Sequence, residues 1–234
     1  MTSSTRRLDQ LLSSLGYCSR KEAQGLCDEG LVKVQGVVLD DASRRVDPDQ
    51  VRLDGEPLEF PHGLLVMLHK PVGLVCSHDT KEGPRVYDLL PERWQERDPK
   101  VTTIGRLDKE TSGILLFTDQ GSLVQRLTSP KHHVDKVYEA TLDREVTAVM
   151  IEAFERGLEL NEGGERLQTL PAVLRSLGGK RAEVTLREGK YHQVRRMFAA
   201  VGAHVETLAR TRFGEWTLGD LPEGEWKELP LPAH

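Results

Sequence analysis

Cysteine is scarce in this sequence, and the three that occur, Cys18, Cys27 and Cys76, are odd in number and lack CxxC spacing. That argues against a disulfide framework or a zinc site, and the expectation is a cytoplasmic protein with reduced thiols. Long apolar runs are missing too: none approaches the roughly 20 residues a membrane-spanning helix needs. The stretch Met1–Arg7 has no apolar segment of the kind a secretory signal carries. No GxGxxG or GxxxxGK(S/T) phosphate loop occurs, and there is no internal repeat or low-complexity tract. Nothing calls for a nucleotide cofactor. A general cationic excess is absent as well: 32 Lys and Arg stand against 37 Asp and Glu, a formal net charge of −5. That excludes indiscriminate coating of nucleic acid, though it allows local basic patches.

What is present is an ordinary soluble composition, 38% hydrophobic and 29% charged over 234 residues. It suits one medium domain with a small companion. The cations are uneven, with seven Lys or Arg against Glu183 and Glu188 between Arg175 and Arg196. Near the N-terminus, Leu8, Leu11, Leu12 and Leu15 recur at helical spacing and stop at Gly16. Ser19-Arg20-Lys21-Glu22 reads as a capping box for a second helix that buries Ala23, Leu26 and Cys27 and ends at Gly30. Val32-Lys33-Val34 and Val37-Val38-Leu39 flank Gln35-Gly36, the pattern of a tight hairpin. Arg20 and Lys21 fall in a first helical turn, opposing the macrodipole by on the order of a few tenths of a kcal/mol. With Arg6 and Arg7 they suit an anionic ligand. The segment from Arg7-Leu8-Asp9 through Gly30-Leu31-Val32-Lys33-Val34-Gln35-Gly36 resembles the S4 RNA-binding module. Residues 1–60 are therefore expected to be an S4-like RNA-binding domain, with Phe60-Pro61-His62-Gly63 as a linker to a second domain over 61–234.

In that second domain, strands are predicted at 64–68, 74–76, 101–104, 114–118, 137–142, 182–186 and 204–210. Helices are predicted at 121–128, 146–157 and 192–201. Strands outnumber helices without βαβ alternation, so the expected class is α+β, a mixed, largely antiparallel sheet with flanking helices. Between two apolar strands lies Gly105-Arg106-Leu107-Asp108, followed by Thr111-Ser112-Gly113-Ile114-Leu115-Leu116. This wording resembles the signature of pseudouridine synthases. Lys136-Val137-Tyr138-Glu139-Ala140 and Gly189-Lys190-Tyr191-His192-Gln193-Val194-Arg195-Arg196-Met197 are similar to two further family blocks, in the same order. Met67-Leu68-His69-Lys70-Pro71-Val72-Gly73, Ser129-Pro130-Lys131-His132-His133 and Pro171-Ala172-Val173-Leu174 resemble the small-subunit, or RsuA, branch of that family. Members of this branch carry an S4 module in front.

The resemblance implies isomerisation of a uridine in 16S ribosomal RNA, within an assembling small subunit, by a cytoplasmic monomer. The C1′–N1 bond breaks, the uracil turns over and a C1′–C5 bond forms, so no cofactor and no metal are expected. Asp108 is implied as the essential carboxylate, attacking C1′ or C6 or abstracting a sugar proton; each role needs it ionised. Burial beneath a base opposes ionisation and a neighbouring guanidinium restores it; the resemblance gives that part to Arg195. Helix phasing agrees, since Val194, Met197, Phe198 and Val201 form the buried stripe with Arg195 on its flank and Arg196 toward solvent. Tyr138 would stack on the uracil, and Arg106 would fill the gap left by the flipped nucleotide. Lys136, His192 and Gln193, with Arg6, Arg7, Arg20 and Lys21, are the expected RNA contacts. His132, His133 and His192 have no acidic or sulfur partners at ligand spacing, which speaks against a metal. A non-catalytic ribosome-binding protein would show damage to the Asp108, Tyr138 and Arg195 set, and all three are present. A glycoside hydrolase would need two placed carboxylates, and only one has a motif around it. A large-subunit RNA target is the remaining alternative.

Overall fold

The structure is a computed structural model and describes residues 5–162 and 165–232. Part of the stretch Met1–Arg7 thus lies outside the described residues. The N-terminal region runs β1 (Arg6–Arg7), α1 (Leu8–Ser14), α2 (Ala23–Asp28), β2 (Val32–Val34), β3 (Val37–Val38), β4 (Arg45–Val46), β5 (Val51–Leu53) and β6 (Glu56–Pro57). Leu8, Leu11 and Leu12 are fully buried against Ala23, Val32 and Val51. The Ser19–Glu22 box forms, with Ser19 N donating to Glu22 Oε2 at 2.8 Å and Glu22 N to Ser19 Oγ at 3.4 Å. The helix proper begins only at Ala23, so Arg20 and Lys21 sit in the turn before it rather than inside its first turn. Gln35 and Gly36 both have positive φ (52° and 81°), the backbone a two-residue hairpin turn requires.

The remainder begins with β7 (Leu65–Lys70), α3 (Glu92–Gln95), β8 (Thr102–Thr103), β9 (Ser112–Thr118), α4 (Gly121–Thr128), β10 (Lys136–Leu142) and α5 (Ala148–Arg156). It continues through β11 (Glu159–Glu162), β12 (Glu165–Gln168), β13 (Val173–Gly178), β14 (Arg181–Leu186), α6 (Gln193–Ala200), β15 (Val205–Phe213), β16 (Trp216–Thr217) and β17 (Trp226–Glu228). The main sheet is ordered β13-β14-β10-β15-β9-β7-β17, with β8 on β9 and β16 on β15. The β9–β15 pair is parallel and the others are antiparallel. This is the expected α+β class with a mixed, largely antiparallel sheet. Strand β7 and its neighbour β9 are apolar almost throughout because both faces are covered. Leu64, Val66, Leu115 and Phe117 meet Trp94 on one side, and Met67, Ile114 and Leu116 meet Leu123 and Phe213 on the other. A third core joins β10, β13, β14 and β15 to α5 and α6 through Phe154, Met197 and Phe198.

Two predictions of local structure need correction. Residues 74–76 form no strand: they lie in the loop after β7, where Val75 pairs with Pro84–Val86 of the same loop instead of entering the sheet. Strand β13 and the hairpin β11–β12 are absent from the predicted elements: the hairpin is polar, and β13 is a largely exposed edge strand that buries only Leu174 and so shows no clear alternation. No helix among the described residues is long and apolar enough to cross a membrane.

The segment read as a linker is firmly held. Arg97, 2% exposed, donates from Nε to Asp119 Oδ2 at 2.9 Å and from Nη2 to Phe60 O at 2.9 Å. Asp119 Oδ1 accepts from Leu64 N at 2.8 Å. Arg93 donates to Leu15 O at 3.1 Å and to Glu59, and its guanidinium lies 4.1 Å from the Tyr17 ring centre. A Cβ on Gly16 would meet Arg93 O at 2.5 Å, so the close approach here requires glycine.

Candidate active site

The loop between β8 and β9 is anchored by two buried apolar residues, Ile104 at its start and Leu107 at its middle. Leu107, 6% exposed, inserts among Leu68, Leu115 and Phe117, which leaves Arg106 exposed and Asp108 half-buried on either side of it. Thr111 N donates to Asp108 O at 3.0 Å and closes the turn. Lys70, fully buried at the end of β7, donates Nζ to Thr111 O (2.8 Å), Pro71 O (2.9 Å) and Lys109 O (3.4 Å). Burial pushes its amine below the usual lysine value, and nearby negative groups, Asp108 among them, oppose this. Gly73 N adds a bond to Lys109 O at 2.7 Å. Cys76 Sγ donates to Leu107 O at 3.4 Å, and burial pushes that thiol up, so it stays protonated. Behind the loop, β9 runs so close to β15 that a Cβ on Gly113 would lie 2.2 Å from Arg210 O.

The sheet supplies the second wall. On β10, Tyr138 stands opposite Arg210 of β15, and Lys136 opposite Phe213. Cross-strand neighbours of this kind present their side chains on one face. Tyr138 is half-buried and touches two of the cores. The third wall is the entry to α6. His192, in the left-handed region at φ 46°, stacks on Tyr191 at 3.9 Å, and its Nε2 lies 3.5 Å from Asp108 Oδ1. Glu188 Oε1 accepts from Leu170 N (2.8 Å) and Gln193 Nε2 (2.6 Å), and its other oxygen accepts from Lys190 Nζ. Gln193 Oε1 accepts from Lys190 N at 2.9 Å.

These walls enclose a cavity of about 750 Å³, a size that takes a nucleotide. Asp108, Arg106, Tyr138, Lys136, His192 and Gln193 all line it, drawn together from three distant segments. Gln193 is 4% exposed and its amide is occupied with Glu188 and Lys190, so it shapes the wall. Arg195 is not in the lining. It donates to Val205 O (2.9 Å) and Glu110 O (3.3 Å), holding the loop two residues past Asp108 instead of the carboxylate itself. Arg196 does not face solvent as the helix phasing predicted: it is half-buried, donating to Tyr191 O (3.0 Å) and Asn161 O (2.8 Å) on β11. A hairpin invisible to helix periodicity covers that side.

Arg6, Arg7, Arg20 and Lys21 stay in the N-terminal region, outside the cavity lining. Arg6 donates to Ser14 Oγ at 2.9 Å, Arg7 pairs with Asp9 at 2.7 Å, and Arg20 and Lys21 are exposed. The basic stretch is largely neutralised: Arg175, Arg181, Arg187 and Lys190 pair with Glu183, Glu139, Asp135 and Glu188. Sequence reasoning missed Lys70, Thr111, Glu188 and Arg210. Thr111 Oγ1 is buried without a hydrogen-bond partner among the described residues. For Arg210 a signal existed, since Leu208 and Arg210 share a strand face by alternation and Leu208 is apolar.

A carboxylate at the side of a partly apolar cavity lined by Arg106, Lys136 and Arg210, in a chain that begins with a small helical and hairpin module, fits an enzyme that acts on RNA. Residues 64–200 match the RNA pseudouridylate synthase family and residues 6–57 match the S4 domain. The chain belongs to the RNA pseudouridylate synthase family, and it is an isomerase. Within that family it is 40% identical over 228 residues to ribosomal small subunit pseudouridine synthase A of Escherichia coli (strain K12), covering 95% of this chain and 96% of that one. It is 37% identical to the uncharacterized RNA pseudouridine synthase YtzG of Bacillus subtilis (strain 168), covering 95% and 94%. The crystal structure of a pseudouridylate synthase superposes with a TM-score of 0.67 at 35% identity, covering 96% of both chains.

Proposed function

We propose that this enzyme converts one uridine of bacterial 16S ribosomal RNA to pseudouridine, with Asp108 as the essential carboxylate. The observation that carries the reading is the convergence of Asp108, Tyr138, Arg106 and Lys136 on one cavity of nucleotide size. Full-length similarity to small-subunit synthases supports the choice of RNA. The target nucleotide flips into the cavity, Tyr138 stacks on the uracil, and Arg106, exposed at the mouth, takes the vacated place in the RNA stack. Asp108 acts on the sugar or the base from the loop that Lys70 and Arg195 hold. The His192 ring nitrogen, 3.5 Å from the Asp108 carboxylate, keeps it oriented. Pseudouridine mapping in ribosomal RNA from cells with and without the gene tests the reading. One 16S position should lose its modification; loss confined to 23S RNA, or no loss, overturns it.

The N-terminal 60 residues serve in this reading as the RNA-holding unit of a cytoplasmic monomer acting on an assembling small subunit, and 61–234 as the catalytic unit. A variant lacking residues 1–57 keeps Glu59 and Phe60, whose carbonyls Arg97 needs. It should fold and retain the Asp108 chemistry at saturating RNA. Its affinity for ribosomal RNA should fall, with the salt slope reduced by about 0.7–0.9 for each phosphate that the module no longer neutralises. Binding measured across a salt series checks this; unchanged affinity and slope would remove the module from RNA recognition.

A further inference from the structure

Among the described residues three cationic side chains are almost fully buried, and two of them are fully accommodated by protein. Arg97 has Asp119 as counter-ion and two carbonyls besides. Lys70 is surrounded by three carbonyls. Arg210 differs. It is 2% exposed, faces no carboxylate at ion-pair distance among the described residues, and donates only to Ile114 O, from Nε at 2.9 Å and Nη2 at 2.7 Å. Among the described residues its Nη1 has no hydrogen-bond partner. Its guanidinium carbon lies 4.9 Å from the centre of the Phe213 ring, and Lys136 Nζ lies 5.5 Å from the same centre. Lys136 also has no carboxylate at ion-pair distance among the described residues, although Asp135 and Glu188 lie farther off, and its Nζ donates to Val134 O at 3.0 Å. Both cations line the cavity that Asp108 lines.

A buried cation without a counter-ion is unfavourable in the protein alone and becomes favourable when negative charge arrives beside it. Apolar Leu107, Leu208 and Phe213 line the same cavity, whereas the exposed Arg106 marks its mouth. The RNA phosphates, being charged and joined to the chain on both sides, stay at the mouth, so the base is what reaches Arg210. Resting on the reaction proposed above, we infer that Arg210, seconded by Lys136, stabilises the negative charge on the uracil ring when the C1′–N1 bond breaks. The electron pair of that bond moves onto the uracil and spreads over its carbonyl oxygens. After the ring turns, C5 uses an electron pair to bond C1′ and then gives up its proton, while N1 gains one, so the sum is an isomerisation. Donors set in a dry site before charge develops act mainly on the transition state.

The test uses the full chain and two free bases: 5-nitrouracil, an anion at neutral pH, and thymine, a neutral base also substituted at C5. Wild type should bind 5-nitrouracil more tightly than thymine by calorimetry. Arg210→Gln and Lys136→Met should keep thymine affinity and lose the preference. On ribosomal RNA, kcat should fall about 10²–10³-fold for Arg210→Gln with KM nearly unchanged, as for loss of one donor to a developing anion. Lys136 is half-exposed, so its variant carries the test if Arg210→Gln does not fold. Equal binding of the two bases by wild type, no binding of either, or a preference retained in the variants overturns the inference. Wild-type turnover is measured in parallel: turnover without anion preference sinks this inference alone, and no pseudouridine from wild type sinks the assigned reaction with it.

Discussion

Asp108→Asn is expected to slow pseudouridine formation by about 10⁴-fold, a rise of about 5.4 kcal/mol in the barrier. Every chemical route open to this carboxylate, attack on carbon or removal of a sugar proton, needs its negative charge, and the amide keeps only its shape. Folding should be nearly untouched. The side chain is 32% exposed, its one partner at ion-pair distance among the described residues is the His192 ring at 3.5 Å, and solvent screens such a contact until it contributes little. The turn that carries it is held by backbone and by Lys70, neither of which depends on the carboxylate. RNA affinity should stay within a few-fold, because the remaining cavity and the N-terminal module are unchanged. Single-turnover rates, filter binding and thermal melting of the purified variant check all three parts. Turnover within tenfold of wild type would remove Asp108 from the chemistry.

The second large effect is expected at Lys70, which touches no substrate in the proposed mechanism. Lys70→Met preserves much of the volume but leaves the carbonyls of Pro71 and Thr111 without this donor, while Lys109 O keeps its bond from Gly73 N. Each buried carbonyl left unpaired costs about 1–3 kcal/mol, offset in part because no ammonium must be desolvated. A net loss of about 2–4 kcal/mol follows, or roughly 5–15 °C in melting temperature for a chain of this size. Activity should fall about 100-fold even at temperatures where the variant is folded, because a loop misplaced by about 1 Å loses that much. The neighbouring exposed Lys109→Met is the control and should shift stability by less than about 0.5 kcal/mol. Equal melting temperatures and equal rates for the two variants would show that the Asp108 turn holds itself.

Much of the local structure is legible along the chain because its signals are local. The helix over Gly121–Thr128 appears with its expected bounds, and α5 and α6 differ from their predicted spans by a residue or two at each end. The hairpin at Gln35-Gly36 and the Ser19–Glu22 box follow from turn and capping chemistry that a few consecutive residues decide. The Asp108 loop can be singled out because its wording, bracketed by two apolar strands, carries the family resemblance. Side-chain partners are less legible. Helix phasing puts Arg195 beside the apolar stripe but cannot say that its guanidinium ends on the carbonyls of Glu110 and Val205. The cationic run from Arg175 to Arg196 looks like an RNA patch until the sheet brings Glu139, Asp135 and Glu183 against it.

The sequence by itself determined the two-part organisation expected here, the mixed sheet, and the three segments that build the cavity. Periodicity, turn residues and motif wording reside in neighbouring positions and survive without a fold. Tertiary structure alone decided that Lys70 clamps the Asp108 turn, that the His192 ring nitrogen lies 3.5 Å from Asp108, and that Arg210 is buried without a carboxylate at ion-pair distance among the described residues. The physical reason is the parallel pairing of β9 with β15, which sets Gly113 against Arg210 across a long intervening stretch of chain. Parallel strands must be joined by a crossover, so no short-range pattern announces which residues will meet. Whether a buried charge has a partner depends on groups that only this pairing brings near.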